Sequence, residues 1–314
     1  MTVALGLLLA TLLVGAFGPV YLRATVTPRV RPGFALAAWV STLLLLVVSG
    51  LGAAIALALP RGTGLDGLFG MATSCINIVR PGGEVIWAHV ARLGGAALLF
   101  GLTAWVGLVW VWLALRHRRW RRAHLRLLHT VCQRDNAIWW LADDLPVAYS
   151  VGGRPGQVIA TAGLTRLPPD ERAAILAHEY AHLRGRHHLL VLAARAMAVA
   201  LPFVPFCRQA PAAISVLVEL AADAVAAREH GAAPVRSGLL AVSARGAPRS
   251  ALAMSRDAVD ARLRWLDGRQ GGLGRLPAKF DHALATVLSC APIAVALGAA
   301  ISVVLAYCLA IGAG

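Results

Sequence analysis

Residues 178–223 read HEYAHLRGRHHLLVLAARAMAVALPFVPFCRQAPAAISVLVELAAD. A polar cluster stands at each end of this stretch, with an apolar run between them. His178 and His182 are four residues apart, so on a helix they share one face. Their Cβ atoms then lie about 5–6 Å apart, and both imidazoles can reach one tetrahedral cation. Glu179, one step round, can take a proton from a water on that cation. Random placement of this chain's His and Glu gives about 0.005 HExxH matches, which makes a solvated surface helix a poor explanation. Glu219 and Asp223 project together from a second helix, within the almost wholly apolar VLVELAADAVAA, where a carboxylate needs a metal or a donor. This pattern assigns Glu219 as the third ligand, leaving one coordination position open. Asp223 is then the acceptor for the outer N–H of His178.

The intervening run decides the fold. Leu189 to Phe206 is nearly long enough to cross a bilayer, although it carries Arg195, Pro202 and Pro205. A single crossing would strand His178 and Glu219 on opposite sides, where they could not share an ion. The segment is therefore expected to be re-entrant, interfacial or packed within the domain, with the site close to the inner membrane surface. A competing pattern, HExxHxxGxxH, would break the helix at Gly185, use His188 as third ligand and take Met254 as its Met-turn. On an unbroken helix His188 turns about 80° away from the His178–His182 pair. The apolar LLVLAARAMAVA argues for continuation, and His187 and His188 then read as polar residues near the membrane surface.

The rest of the chain is of a piece with a membrane setting. Of 314 residues, 58% are hydrophobic and 14% charged, and mean hydropathy is +0.68, which excludes an ordinary soluble globule. Four charge-free stretches reach spanning length: Val3 to Leu22, Phe34 to Leu59, Leu93 to Leu115 and Ala283 to Gly312. The first lacks a basic leader and reads as a retained span. Arginines cluster between the first two spans, after the third (RHRRWRRAHLR, Arg116 to Arg126) and before the fourth, which places residues 116–282 in the cytoplasm and both termini outside. Trp105, Trp110, Trp112 and Trp120 suit an interfacial belt. Beside a span, the basic run serves as a headgroup anchor, and no direct nucleic-acid binding is expected. The five cysteines show neither a disulfide framework nor CxxC spacing.

The fold expected is an α-helical integral membrane protein with four transmembrane helices and an α+β, zincin-like cytoplasmic metallopeptidase domain between the third and fourth spans. Its parts are a three-span region (1–115), the metallopeptidase domain (116–282) and the last helix (283–314). Within the insert, Pro146 to Val151 and Gln157 to Ala162 flank GGRP as a two-stranded hairpin. Pro168, Pro169, Asp170 and Glu171 start the helix bearing HExxH. The ELAAD helix is expected to begin after Pro211 and stop at Gly231. The edge from Gln157 to Ala162 could hold a substrate as an added strand. The oxyanion donor is expected to be His230 or an arginine near Arg262, with His230 ranked first.

HEYAHLRGRHHLL, followed about forty residues later by ELAAD, with three spans before and one after, resembles the BlaR/MecR-type membrane metallopeptidases. PVAYSVGGRPGQVIATAGLTRL resembles the strand region that this family shares with HtpX and CAAX-protease relatives. The resemblance implies one zinc per chain on His178, His182 and Glu219, with Glu179 as general base, in a bacterial inner-membrane protein. It also implies a protein substrate, a DNA-binding repressor of BlaI/MecI type, cut in a signalling role. The sequence as given ends at Gly314, so an outward penicillin-binding sensor domain is not expected. The lipid bilayer is the other partner, and a homodimer is allowed. An HtpX-like quality-control protease and a non-catalytic receptor organised by zinc are the rival functions.

Overall fold

A computed structural model describes residues 2–24, 31–58, 86–135, 138–243 and 252–270. Three long helices come first: α1 (Thr2–Ala24), α2 (Pro32–Ala58) and α3 (Ile86–Val131). They follow the expected first three spans, while the expected fourth, Ala283 to Gly312, and the loop between the second and third lie outside the described residues. On α3, Leu98, Trp105, Leu108, Trp110 and Trp112 are exposed, a surface composition that suits lipid. The helix runs without a break through the expected boundary at 115/116, so the Arg116–Val131 extension is rigidly continuous with the apolar part.

A four-stranded sheet follows, with strands β1 (Cys132–Asp135), β2 (Ile138–Leu141), β3 (Ala148–Val151) and β4 (Gln157–Thr161) in the order β1-β2-β4-β3. The hairpin expected from GGRP is present as β3 and β4, with Ser150 opposite Val158. Two strands were not anticipated. β2 pairs in parallel with β4, so β4 is bonded on both sides and the expected free edge at Gln157–Ala162 does not exist. Among the described residues, the free edge beside the helices is β3. Trp139, Val151 and Ile159 bury against Leu128 of α3, fixing the sheet to the polar end of that helix.

The 3-10 turn Ala162–Arg166 leads from β4 into α4 (Pro169–Arg184), which opens with proline in its first turn followed by Asp170 and Glu171. A Cβ on Gly163 would lie 2.2 Å from the backbone oxygen of Asp144. Gly163→Ala is therefore expected to cost about 1–3 kcal/mol by forcing that loop apart. Gly33→Ala, where nothing lies within 4 Å, should leave the thermal unfolding midpoint almost unmoved.

Helix α4 stops at Gly185, and Arg186 adopts the left-handed conformation at φ 49° before α5 (His187–Ala200) sets off in a new direction. The expected unbroken helix through LLVLAARAMAVA is corrected here: that run forms its own helix. After Leu201–Val204, α6 (Pro205–His230) returns antiparallel to α5. It begins at Pro205 rather than after Pro211, which sits inside it and gives up one backbone hydrogen bond among apolar neighbours.

The α5–α6 hairpin dips among the long helices and comes back. Its tip meets the middle of α1, where a Cβ on Gly15 would come 3.0 Å from Val204 and one on Gly18 would come 3.1 Å from Phe206. Phe206 stacks on Trp39 of α2 at 4.8 Å, and Ala196 and Ala200 bury against Val109 of α3. Gly15 is about 13 Å along the axis from the end of α1, so the tip penetrates only part way. Leu189–Phe206 is thus packed against the three long helices. By length and composition, α2, α3 and α6 each could cross a bilayer. In α6, however, Phe206 to Val218 pack with α1 and α2, whereas Leu220 to Ala226 pack with α4, α7 (Ala232–Ser243) and α8 (Leu252–Gln270). Glu219 sits at the junction.

Candidate metal centre

The centre is built where α4 crosses α6. His178 and His182 project from one face of α4, their Nε2 atoms 3.0 Å apart. Glu219 of α6 reaches both, with Oε2 3.4 Å from His178 Nε2 and Oε1 3.5 Å from His182 Nε2. These three donor atoms all lie within 4.8 Å of one another, and two nitrogens and an oxygen so grouped fit a divalent cation with a position to spare. Glu179 is outside the trio and faces the same cleft, a cavity of about 520 Å³ also lined by Ser150 of β3. Burial raises the Glu179 carboxyl above its ordinary range, which brings it nearer the pKa wanted of a base at neutral pH.

Each imidazole is oriented from behind. The Nδ1 of His178 lies 2.8 Å from Oδ1 of Asp223, which is fully buried. Burial alone would lower His178, but hydrogen bonds to Asp223 and Glu219 outweigh it and lift the group to about 9. A proton on His178 therefore competes with any cation for this place. His182 places its Nδ1 2.9 Å from Nδ1 of His187. Burial first, and then His182, lowers His187 to about 4, so its ring is neutral and can accept the Nδ1–H of His182. His187, expected as a polar residue near the membrane surface, is buried behind His182, where the helix break directs it. Gly185 makes that possible, since a Cβ there would lie 2.3 Å from His187 Nε2.

Arg262, from α8, completes the arrangement. Its Nε and Nη2 each donate to Asp223 at 2.7 Å, and its Nη1 lies 3.3 Å from Glu219. The bidentate fork offsets the buried charge of Asp223 and holds the carboxylate square to His178.

Other expectations fare differently. His230 is the exposed last residue of α6, about 16 Å along the axis from Glu219, and is not brought to the centre. His188 turns away to stack on His117 of α3, with ring centroids 6.3 Å apart, so the helix does break at Gly185 yet His188 does not join the trio. Met254 falls in the first turn of α8 rather than in a turn beneath the site.

With the geometry in view, comparison with known families is informative. Residues 123–245 match Peptidase family M48. The M48 match begins on the polar end of α3 and ends just past α7. It takes in the sheet, the α5–α6 hairpin and both helices that carry the trio, but stops before Arg262. It supports a membrane-associated metallopeptidase. No curated protein and no solved structure gives a significant match.

Proposed function

We propose that this protein is a zinc endopeptidase that cuts an extended protein segment at the membrane surface. The observation that carries the reading is the meeting of His178, His182 and Glu219 in one cleft with Glu179 and the edge of β3, unpaired among the described residues. His178, His182 and Glu219 would hold the zinc, which when bound acidifies a water and polarises a carbonyl. Glu179, half-buried beside the pair, accepts the water's proton and delivers it to the departing amine. Asp223 and His187 keep the two imidazoles aimed with their Nε2 lone pairs toward the ion. The donors of Arg262 are committed to Asp223 and Glu219, so its task is to balance ligand charge rather than to bind the oxyanion.

The edge of β3 gives the substrate its geometry. A peptide laid along Ala148–Val151 as an added strand bonds through alternate backbone groups. Backbone N-methylation of a substrate peptide at every second position should lower kcat/KM about tenfold or more, with the intervening positions tolerant. Equal effects at neighbouring positions would remove strand addition from the account. The resemblance to BlaR/MecR proteins suggests a BlaI/MecI-type repressor as substrate, in a cytoplasmic and signalling setting. Clean cutting of one such repressor by the purified protein in bilayer discs, abolished by a chelator and restored by zinc, is the expected result. Degradation of several misfolded membrane proteins instead would favour quality control.

A further inference from the structure

The cleft has a second chemical character at the end away from Asp223. His117 and Arg121 lie on the half-buried face of α3 that is turned to the domain, and His188 and Arg195 come from α5. His117 and His188 stack with ring centroids 6.3 Å apart, and Arg195 lines the same cleft. Two glycines in the β3–β4 turn let this group close up. A Cβ on Gly152 would collide with the His188 ring at 2.2 Å, and one on Gly153 would collide with the Arg121 guanidinium. Among the described residues, Arg121, Arg186 and Arg195 have no carboxylate partner. This cluster, without a carboxylate partner among the described residues and with His117, His188 and Arg195 lining the cleft that holds the trio, calls for an anion from whatever enters that cleft.

Position says which part of the entrant it meets. Glu179 and Ser150 line the same cleft, so the reacting centre stands beside Ser150, whereas His188 packs on Gly152, beyond the C-terminal end of β3. A strand added antiparallel to β3 runs the other way, so its residues beyond Gly152 precede the one facing Ser150. We propose that His117, His188 and Arg195, backed by Arg121, form a substrate subsite for an acidic side chain about two to three residues N-terminal to the cleaved bond. This deepens the peptidase reading and rests on it. Lipid phosphate is the poorer occupant, because His117, His188 and the exposed Arg195 line the same cavity as Glu179, whereas Arg118, Arg119 and Arg122, on other faces of α3, do not.

The test reads binding, so it does not depend on turnover. Full-length Glu179→Gln protein, zinc-loaded in zwitterionic lipid discs, is titrated with fluorescent peptides that differ only in Glu or Lys at the chosen position. The Glu peptide should bind about tenfold tighter. Adding Arg195→Glu should invert the order, and adding Arg122→Glu, on the outward face, should keep it. Equal affinities, or an order that survives Arg195→Glu, overturn the subsite. So does an effect of Arg195→Glu that appears only in anionic discs and is blind to peptide charge, which would assign the cluster to lipid. If wild-type protein cuts peptides without any charge order, the subsite fails and the peptidase stands; if charge-ordered binding occurs without any cutting, the reverse holds.

Discussion

Glu179→Gln is expected to leave the metal bound and to stop cleavage. The amide has the shape of the carboxyl and fills the same half-buried place facing β3, but it cannot take a proton from water. Glu179 is not one of the three clustered donors, so metal content should be unchanged. General-base catalysis is worth about 10²–10⁴-fold, and the loss should fall on kcat rather than KM because substrate contacts remain. The checks are metal analysis and single-turnover cleavage of the same preparation. A receptor that uses zinc only to organise its fold would give unchanged output with this variant, and that outcome would end the enzymatic reading.

Asp223→Ala should produce the largest structural effect. Asp223 is fully buried and accepts two hydrogen bonds from Arg262 and one from His178. Its removal leaves the Arg262 guanidinium, itself only 15% exposed, with Glu219 as its remaining carboxylate partner. Breaking a buried pair from one side typically costs about 3–5 kcal/mol. The released His178 ring should also weaken metal binding by about 10–100-fold. The two losses can be separated. In Asp223→Ala combined with Arg262→Met both buried charges are gone, so unfolding stability should partly recover while metal affinity should not. Recovery of both together would show that Asp223 acts on the metal only through the stability of the fold.

The parts of this site that were legible in the sequence are those fixed by short-range helical spacing. HExxH puts two imidazoles on one face whatever the surroundings, and ELAAD does the same for two carboxylates. An apolar neighbourhood marks those carboxylates as needing partners. Even the turning back of Leu189–Phe206 followed from the demand that both clusters meet one ion. What failed depended on angles and partners that spacing does not carry. An apolar run after Gly185 looks the same whether it prolongs α4 or starts α5, and only the left-handed Arg186 distinguishes them. That single turn decides that His187 backs His182 while His188 faces α3. The edge strand was misplaced because β2, the four residues IWWL, is too short and uniformly apolar to show a period, and its pairing with β4 shifts the free edge to β3. Arg262 lies 39 residues beyond Asp223 in a helix rich in arginine, and nothing local marks it from Arg264.

The central claim is that one divalent ion is gripped jointly by α4 and α6. Metal analysis of the purified full-length protein, wild type beside Glu219→Gln and His188→Gln, tests it most directly. About one zinc per chain is expected in the wild type and in His188→Gln, and a loss in Glu219→Gln on a protein that remains folded. Wild-type protein without metal, or metal that survives Glu219→Gln and disappears with His188→Gln, would contradict it.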